Sequence, residues 1–82
     1  MNKVRVLLFA TLRDRAGMRD LLLEIPLDTD VNHLRQLLGE KVPQIRELLK
    51  NCLVAANGEY IFGFDAIPLG AEVALFPPVS GG

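Results

Sequence analysis

The spacing of apolar residues switches twice along this chain, and the switch limits the folds open to it. From Lys3 to Ala10 (Lys-Val-Arg-Val-Leu-Leu-Phe-Ala) the pattern opens with a period of two, the repeat of a strand whose side chains alternate between two faces. Val4, Val6 and Leu8 then share one face, with Arg5, Leu7 and Phe9 on the other. A second alternating run, Asp20 to Pro26, sets Leu21, Leu23 and Ile25 against Leu22 and Glu24, and its closing proline cannot continue a hydrogen-bonded ladder. Runs so close in sequence are expected to pair antiparallel. After Asp30 the period becomes helical. Val31, Leu34, Leu37 and Leu38 fall at offsets of three and four, a single stripe able to cover a sheet, and the Asp30 carboxylate can cap the free N–H groups at the helix start.

Beyond the helix the alternation returns. Val42-Pro43 ends the helical pattern, because the residue before a proline is pushed out of helical geometry; Pro43 suits the first position of a second short helix carrying Ile45, Leu48 and Leu49. Leu53 to Ala56 reads as a strand. Asn57-Gly58 follows it and matches a two-residue hairpin turn in which both central residues need positive φ. Glu72 to Phe76 (Glu-Val-Ala-Leu-Phe) is the last alternating run, with Val73 and Leu75 opposite Glu72, Ala74 and Phe76. Near the start, Thr11 to Ala16 has room for one helical turn, which Gly17 can stop in the left-handed conformation. Two strands, a helix and further strands give an α+β fold with the helices on one face of a mixed sheet. The β-grasp is the common small fold in this order, its first and last strands parallel and central, with a connection long enough to carry the helix. The expected division is a domain over residues 1–76 and a flexible tail over residues 77–82.

Size and composition exclude several function classes. A chain of 82 residues has room for one modest core and not for an enclosed substrate cavity as well, so no active site of its own is expected. A formal net charge of -1 and basic residues that do not interleave with aromatics argue against nucleic-acid binding. All nine Lys and Arg lie before Asn51, and Glu59, Asp65 and Glu72 leave the last third mildly acidic. Cys52 stands alone in an apolar run and reads as a buried, inert thiol. His33 reads as a solvated helix residue, having no second ligand at metal spacing. No metal site and no cofactor bound by this chain are expected. With no charged-then-apolar leader and no apolar run near the length of a membrane span, the cytoplasm is the expected compartment.

The closing segment, Pro77-Pro78-Val79-Ser80-Gly81-Gly82, serves no structural purpose that the pattern reveals. Two prolines end the last strand and favour a stiff extended path. Ser80, Gly81 and Gly82 carry no bulky side chain, so this end can thread a narrow channel and offer the Gly82 carboxylate to another protein's active site. That carboxylate must be activated, usually as a mixed anhydride with adenylate, before sulfur or an amine can attack it. Phe9 and Phe76 share a parity opposite to the core, which directs both to the uncovered sheet face if their strands are neighbours. Exposed aromatics there imply a docking patch, which Tyr60, just past the hairpin, can extend.

Three segments carry a resemblance: Val-Arg-Val-Leu-Leu-Phe-Ala-Thr-Leu-Arg-Asp near the start, Val-Ala-Ala-Asn-Gly-Glu-Tyr in the middle, and Glu-Val-Ala-Leu-Phe-Pro-Pro-Val-Ser-Gly-Gly at the end. Over its whole length the chain resembles the MoaD-type sulfur carriers, the ubiquitin-like small subunits of molybdopterin synthase in molybdenum-cofactor biosynthesis. The resemblance implies a non-catalytic, sulfur-donating subunit. Gly82 would be adenylated by an ATP-using activating enzyme of the MoeB type and converted to a thiocarboxylate with sulfur from a donor enzyme. The tail would then enter a MoaE-like large subunit to sulfurate a pterin precursor, in an assembly of two small subunits around a large-subunit dimer. It also places Phe9, Tyr60 and Phe76 among partner-docking residues. Leu69-Gly70-Ala71-Glu72 departs from the commoner Asp-Gly-Asp-Glu turn, which removes part of an acidic edge. A carrier for thiamine thiazole or another sulfur pathway and a ubiquitin-like protein modifier remain alternatives on the same fold.

Overall fold

Alternation at the two ends of the chain brings the first and last strands together in one sheet. The computed structural model describes residues 1–78. Strand β1 (Asn2–Leu8) pairs antiparallel with β2 (Asp20–Ile25) on one side and parallel with β5 (Glu72–Phe76) on the other. Strand β3 (Leu53–Ala56) pairs antiparallel with β5, and β4 (Glu59–Ile61) closes the sheet in the order β2-β1-β5-β3-β4. This is the ubiquitin-like β-grasp arrangement, with a long crossover carrying the helix between the two parallel strands.

The core follows the expected faces. Val4, Val6, Leu8, Leu23, Ile25, Val54, Val73 and Leu75 are buried. They pack with Leu12 of α1 (Ala10–Ala16) and with Val31, Leu34 and Leu38 of α2 (Val31–Lys41) in one apolar cluster. Each such side chain removed from water contributes about 1.5–3 kcal/mol before chain entropy is set against it. The segment after Val42 is a 3-10 turn (Pro43–Ile45) followed by one turn of helix, α3 (Arg46–Leu49), rather than a single helix; it buries Ile45 and Leu49. Gly39, near the end of α2, is buried against that turn. A Cβ there would meet the Arg46 Cγ at 3.4 Å, so the two helices approach closely at this position.

Side-chain hydrogen bonds pin the connections. The Asp30 carboxylate accepts from the His33 N–H at 2.8 Å, the N-cap read from the sequence. The next free amides of α2 are met by the loop after β4, Val31 N–H donating to the Asp65 carbonyl at 3.1 Å and Asn32 N–H to that of Gly63 at 3.0 Å. Asn57 and Gly58 both have positive φ, 50° and 86°, as their turn requires. Asn57 also brackets Glu72, donating its N–H to the Glu72 carbonyl at 2.9 Å and accepting the Glu72 N–H on Oδ1 at 3.0 Å.

One junction differs from the expected pattern. Strand β1 ends at Leu8 rather than Ala10, because Ala10 adopts a φ of 51° and starts α1. Phe9 stays extended, with φ -121° and ψ 152°, and keeps the strand's parity. The turn at Ala10 sends Leu12 back into the core, at the expense of about 1–2 kcal/mol for a left-handed residue bearing a Cβ.

Buried Asn2 ties the start of β1 to the turn before β5. Its Nδ2 donates to the Pro68 carbonyl at 3.1 Å, and its Oδ1 accepts the Gly70 N–H at 2.8 Å. Replacing Asn2 with Ala strands these partners and should lower unfolding free energy by about 1–3 kcal/mol in urea titration, whereas Lys3→Ala on the solvent side should change it by less than about 0.5 kcal/mol.

Candidate functional site

On the sheet face away from the helices, strand register sets side chains into rows. Leu8 pairs with Leu75, so Phe9 stands beside Phe76 one step further on. Their rings stack with centroids 4.7 Å apart and an interplanar angle of 15°, within the range where aromatic pairs attract beyond simple burial. Phe9 keeps 38% of its surface exposed and Phe76 is half-buried under it. Leu53 pairs with Phe76 across β3 and β5 and is also exposed. The next row runs Leu7, Ala74, Ala55, Tyr60. Ala74 and Ala55 give it a low floor, and Tyr60, 59% exposed, stands at its edge on β4. Phe9, Phe76 and Tyr60 therefore lie on one face, across four adjoining strands.

The C-terminal segment leaves from this row. Pro77 and Pro78 follow Phe76 directly, the first half-buried and the second exposed. Val79, Ser80, Gly81 and Gly82, on which the tail chemistry was read, lie outside the described residues.

Sequence reasoning missed Leu53, exposed on this face, and Phe62 and Phe64 in the loop after β4, 64% and 88% exposed. Phe62 and Phe64 follow β4, where alternation fades into a loop; Leu53 opens β3, and its parity with Phe76 becomes visible only once β3 is known to pair with β5.

Charge flanks the aromatic pair. Arg5, Arg13, Arg19 and Asp20 surround a shallow depression of about 300 Å³ beside Phe9. Arg5 binds Asp20 at 2.7 Å, and that hydrogen bond raises the guanidinium pKa further above its ordinary range. A groove of about 360 Å³ lies on the opposite, helical side, between α2 and α3. Its lining by Arg35, Arg46, Lys50 and Glu40 includes no nucleophile and no paired acids, so it offers no catalytic arrangement. Among the described residues no cluster of His, Cys, Asp and Glu could hold a metal ion, and no helix is long and apolar enough to cross a membrane.

Cys52 is buried, with Sγ donating to the Leu49 carbonyl at 3.3 Å. Arg35 Nη1 donates to the Leu49 and Cys52 carbonyls and lies 3.0 Å from Sγ. Arg35 thus closes α3 and sets the start of β3, a role that its polar position on α2 did not reveal. Burial raises the thiol pKa, and the nearby guanidinium opposes this only in part. The expected outcome is that iodoacetamide leaves Cys52 unlabelled in the native protein at pH 8 and labels it in denaturant, as intact mass would report.

Comparison with known proteins places this geometry. The sequence profile of the ThiS family matches residues 6–82. The molybdopterin synthase sulfur carrier subunit of Dictyostelium discoideum is 38% identical over 85 aligned positions, covering 99% of this chain and 98% of that protein. The crystal structure of the Haloferax volcanii small archaeal modifier protein 1 superposes with a TM-score of 0.84 at 27% identity, covering 96% of this chain and all of the other (100%). A complex of subunits 1 and 2 of the molybdopterin-converting factor from Helicobacter pylori contains a chain matching with a TM-score of 0.68 at 27% identity, over 98% of this chain and 99% of that one.

Proposed function

This chain belongs to the ThiS family, and from that premise we propose that it is a sulfur carrier of molybdopterin synthase whose working group is the Gly82 carboxylate. The observation that carries the reading is full-length identity to carrier subunits, 38% in the Dictyostelium discoideum protein, joined to a sheet face with stacked aromatics at the root of a side-chain-poor end. In this reading the carboxylate is first adenylated by an ATP-using activating enzyme. A sulfur donor then displaces the nucleotide to leave a thiocarboxylate. The charged end enters the large subunit, which passes the sulfur to a pterin precursor, and water restores the carboxylate. Glycine suits each step because no Cβ obstructs a narrow channel. This chain supplies binding and reach, and the catalytic groups belong to its partners.

The Helicobacter pylori complex supports a large subunit as the partner of this chain. The outer face offers an apolar surface for it, since its aromatic pair lies outside the cluster that holds the core. Phe76→Ala should therefore weaken binding to the large subunit by about tenfold or more, measured by calorimetry, while the circular dichroism spectrum stays that of the folded protein. Unfolding of the variant would instead make Phe76 a structural residue.

A protein modifier is the second reading, favoured by the TM-score of 0.84 to the archaeal modifier protein. The two diverge at the fate of the activated end: sulfur displaces the nucleotide in a carrier, a lysine amine in a modifier. Deleting Gly82 should abolish pterin sulfuration in a reconstituted synthase reaction; undiminished sulfuration would remove the carrier reading. A modifier would appear in cell extract with the activating enzyme and ATP as covalent adducts of higher mass, sensitive to the same deletion.

A further inference from the structure

The register of the edge strand adds a residue to the outer face that no sequence pattern indicated. Val54 pairs with Ile61, the last pair of the β3–β4 ladder; carried one step further, that register sets Leu53 opposite Phe62, the residue immediately after β4. Leu53 in turn pairs with Phe76, and Phe76 stacks on Phe9. By that extended register the four residues line up across the sheet, from the end of β1 over β5 and β3 to the residue after β4, a span of roughly 14 Å at the usual strand separation. Phe62 is 64% exposed and lies outside the apolar core cluster, so the interior does not require a phenylalanine there.

Its backbone is nonetheless held firmly. Phe62 N–H donates to the Asp65 carboxylate at 2.8 Å, and Asp65 N–H donates back to the Phe62 carbonyl at 2.7 Å. The next residues are fixed to α2 through the Gly63 and Asp65 carbonyls. A large apolar side chain presented on a rigid turn loses little conformational entropy when a partner covers it, which is the usual character of an interface anchor. Size points the same way. A stable interface covers about 800 Å² on each partner, whereas an aromatic side chain brings only about 150–250 Å² when fully buried. Phe9 and Phe76 already cover part of each other, so the pair and Tyr60 need apolar neighbours to reach that area.

We propose that Leu53 and Phe62 continue the docking surface of Phe9 and Phe76 to the edge of the sheet, and that one apolar strip on the large synthase subunit covers all four. This rests on the carrier reading for the identity of the partner. The occupant is a surface presenting apolar side chains in a line that crosses the strands, with Phe62 fixing its far end.

Calorimetric titration of the large subunit with the full chain tests it, using Phe62→Ala, Phe62→Leu, Phe76→Ala and Leu22→Ala. Phe62→Ala should raise Kd by about tenfold with an unchanged melting temperature, and Phe62→Leu should recover most of the loss. Leu22→Ala removes a similarly exposed side chain, 62%, from β2; outside the strip, it should change Kd by less than about threefold. If Phe62→Ala binds like the wild type while Phe76→Ala is weakened, the strip is overturned and the carrier reading stands. If the wild-type chain does not bind the large subunit, both are overturned. Equal loss in Phe62→Ala and Leu22→Ala would also overturn the strip, since the effect would then follow exposure and not position.

Discussion

The parallel pairing of β1 with β5 is the contact on which the rest of the molecule depends. It brings residues nearly seventy positions apart into register, a closure whose entropic cost only a well-packed inner face can offset. Val6 meets Val73 and Leu8 meets Leu75 on that inner face, all four buried beneath the helices. The same register places Phe9 against Phe76 on the outside. One pairing therefore builds the core and assembles the aromatic pair, and a one-residue slip would exchange the two faces.

The C-terminal segment inherits its position from this arrangement. β5 lies between β1 and β3, held on both sides, so the chain leaves the middle of the sheet from a fixed point beside Phe76. Asn2 and Asn57 secure the other end of β5 by hydrogen bonds to Gly70 and Glu72. A partner that recognises the outer face would know where the chain departs before it meets the terminal glycines. This division would suit a carrier in which the folded body gave affinity and direction and a side-chain-poor end carried the reactive group.

Much of the fold was legible because its elements are amphipathic. Alternation gave β1, β2 and β5 with the correct inner faces, Asp30 marked the start of α2, and Asn57-Gly58 marked the hairpin. What escaped depends on contacts distant in sequence. Arg35 reads as a solvated helix residue until α3 and β3 fold beneath it and present two carbonyls. Gly39 reads as a defect until Arg46 packs over it. Phe62 follows a strand of three residues, too short for period alone to assign, and its place opposite Leu53 follows only from carrying the β3 and β4 register one step on. Ala10 carries no mark of the positive φ it adopts; the demand comes from a strand that must end and a helix that must return Leu12 to the core.

Sulfur carriage at the Gly82 carboxylate is the central claim, and the mass of the intact chain tests it most directly. After incubation with an activating enzyme of the family, ATP and a sulfur donor, the chain should gain the difference between one sulfur and one oxygen atom, and fragmentation should place that gain on Gly82. An unchanged mass under conditions that charge a known carrier, or a gain located on Cys52, would contradict it.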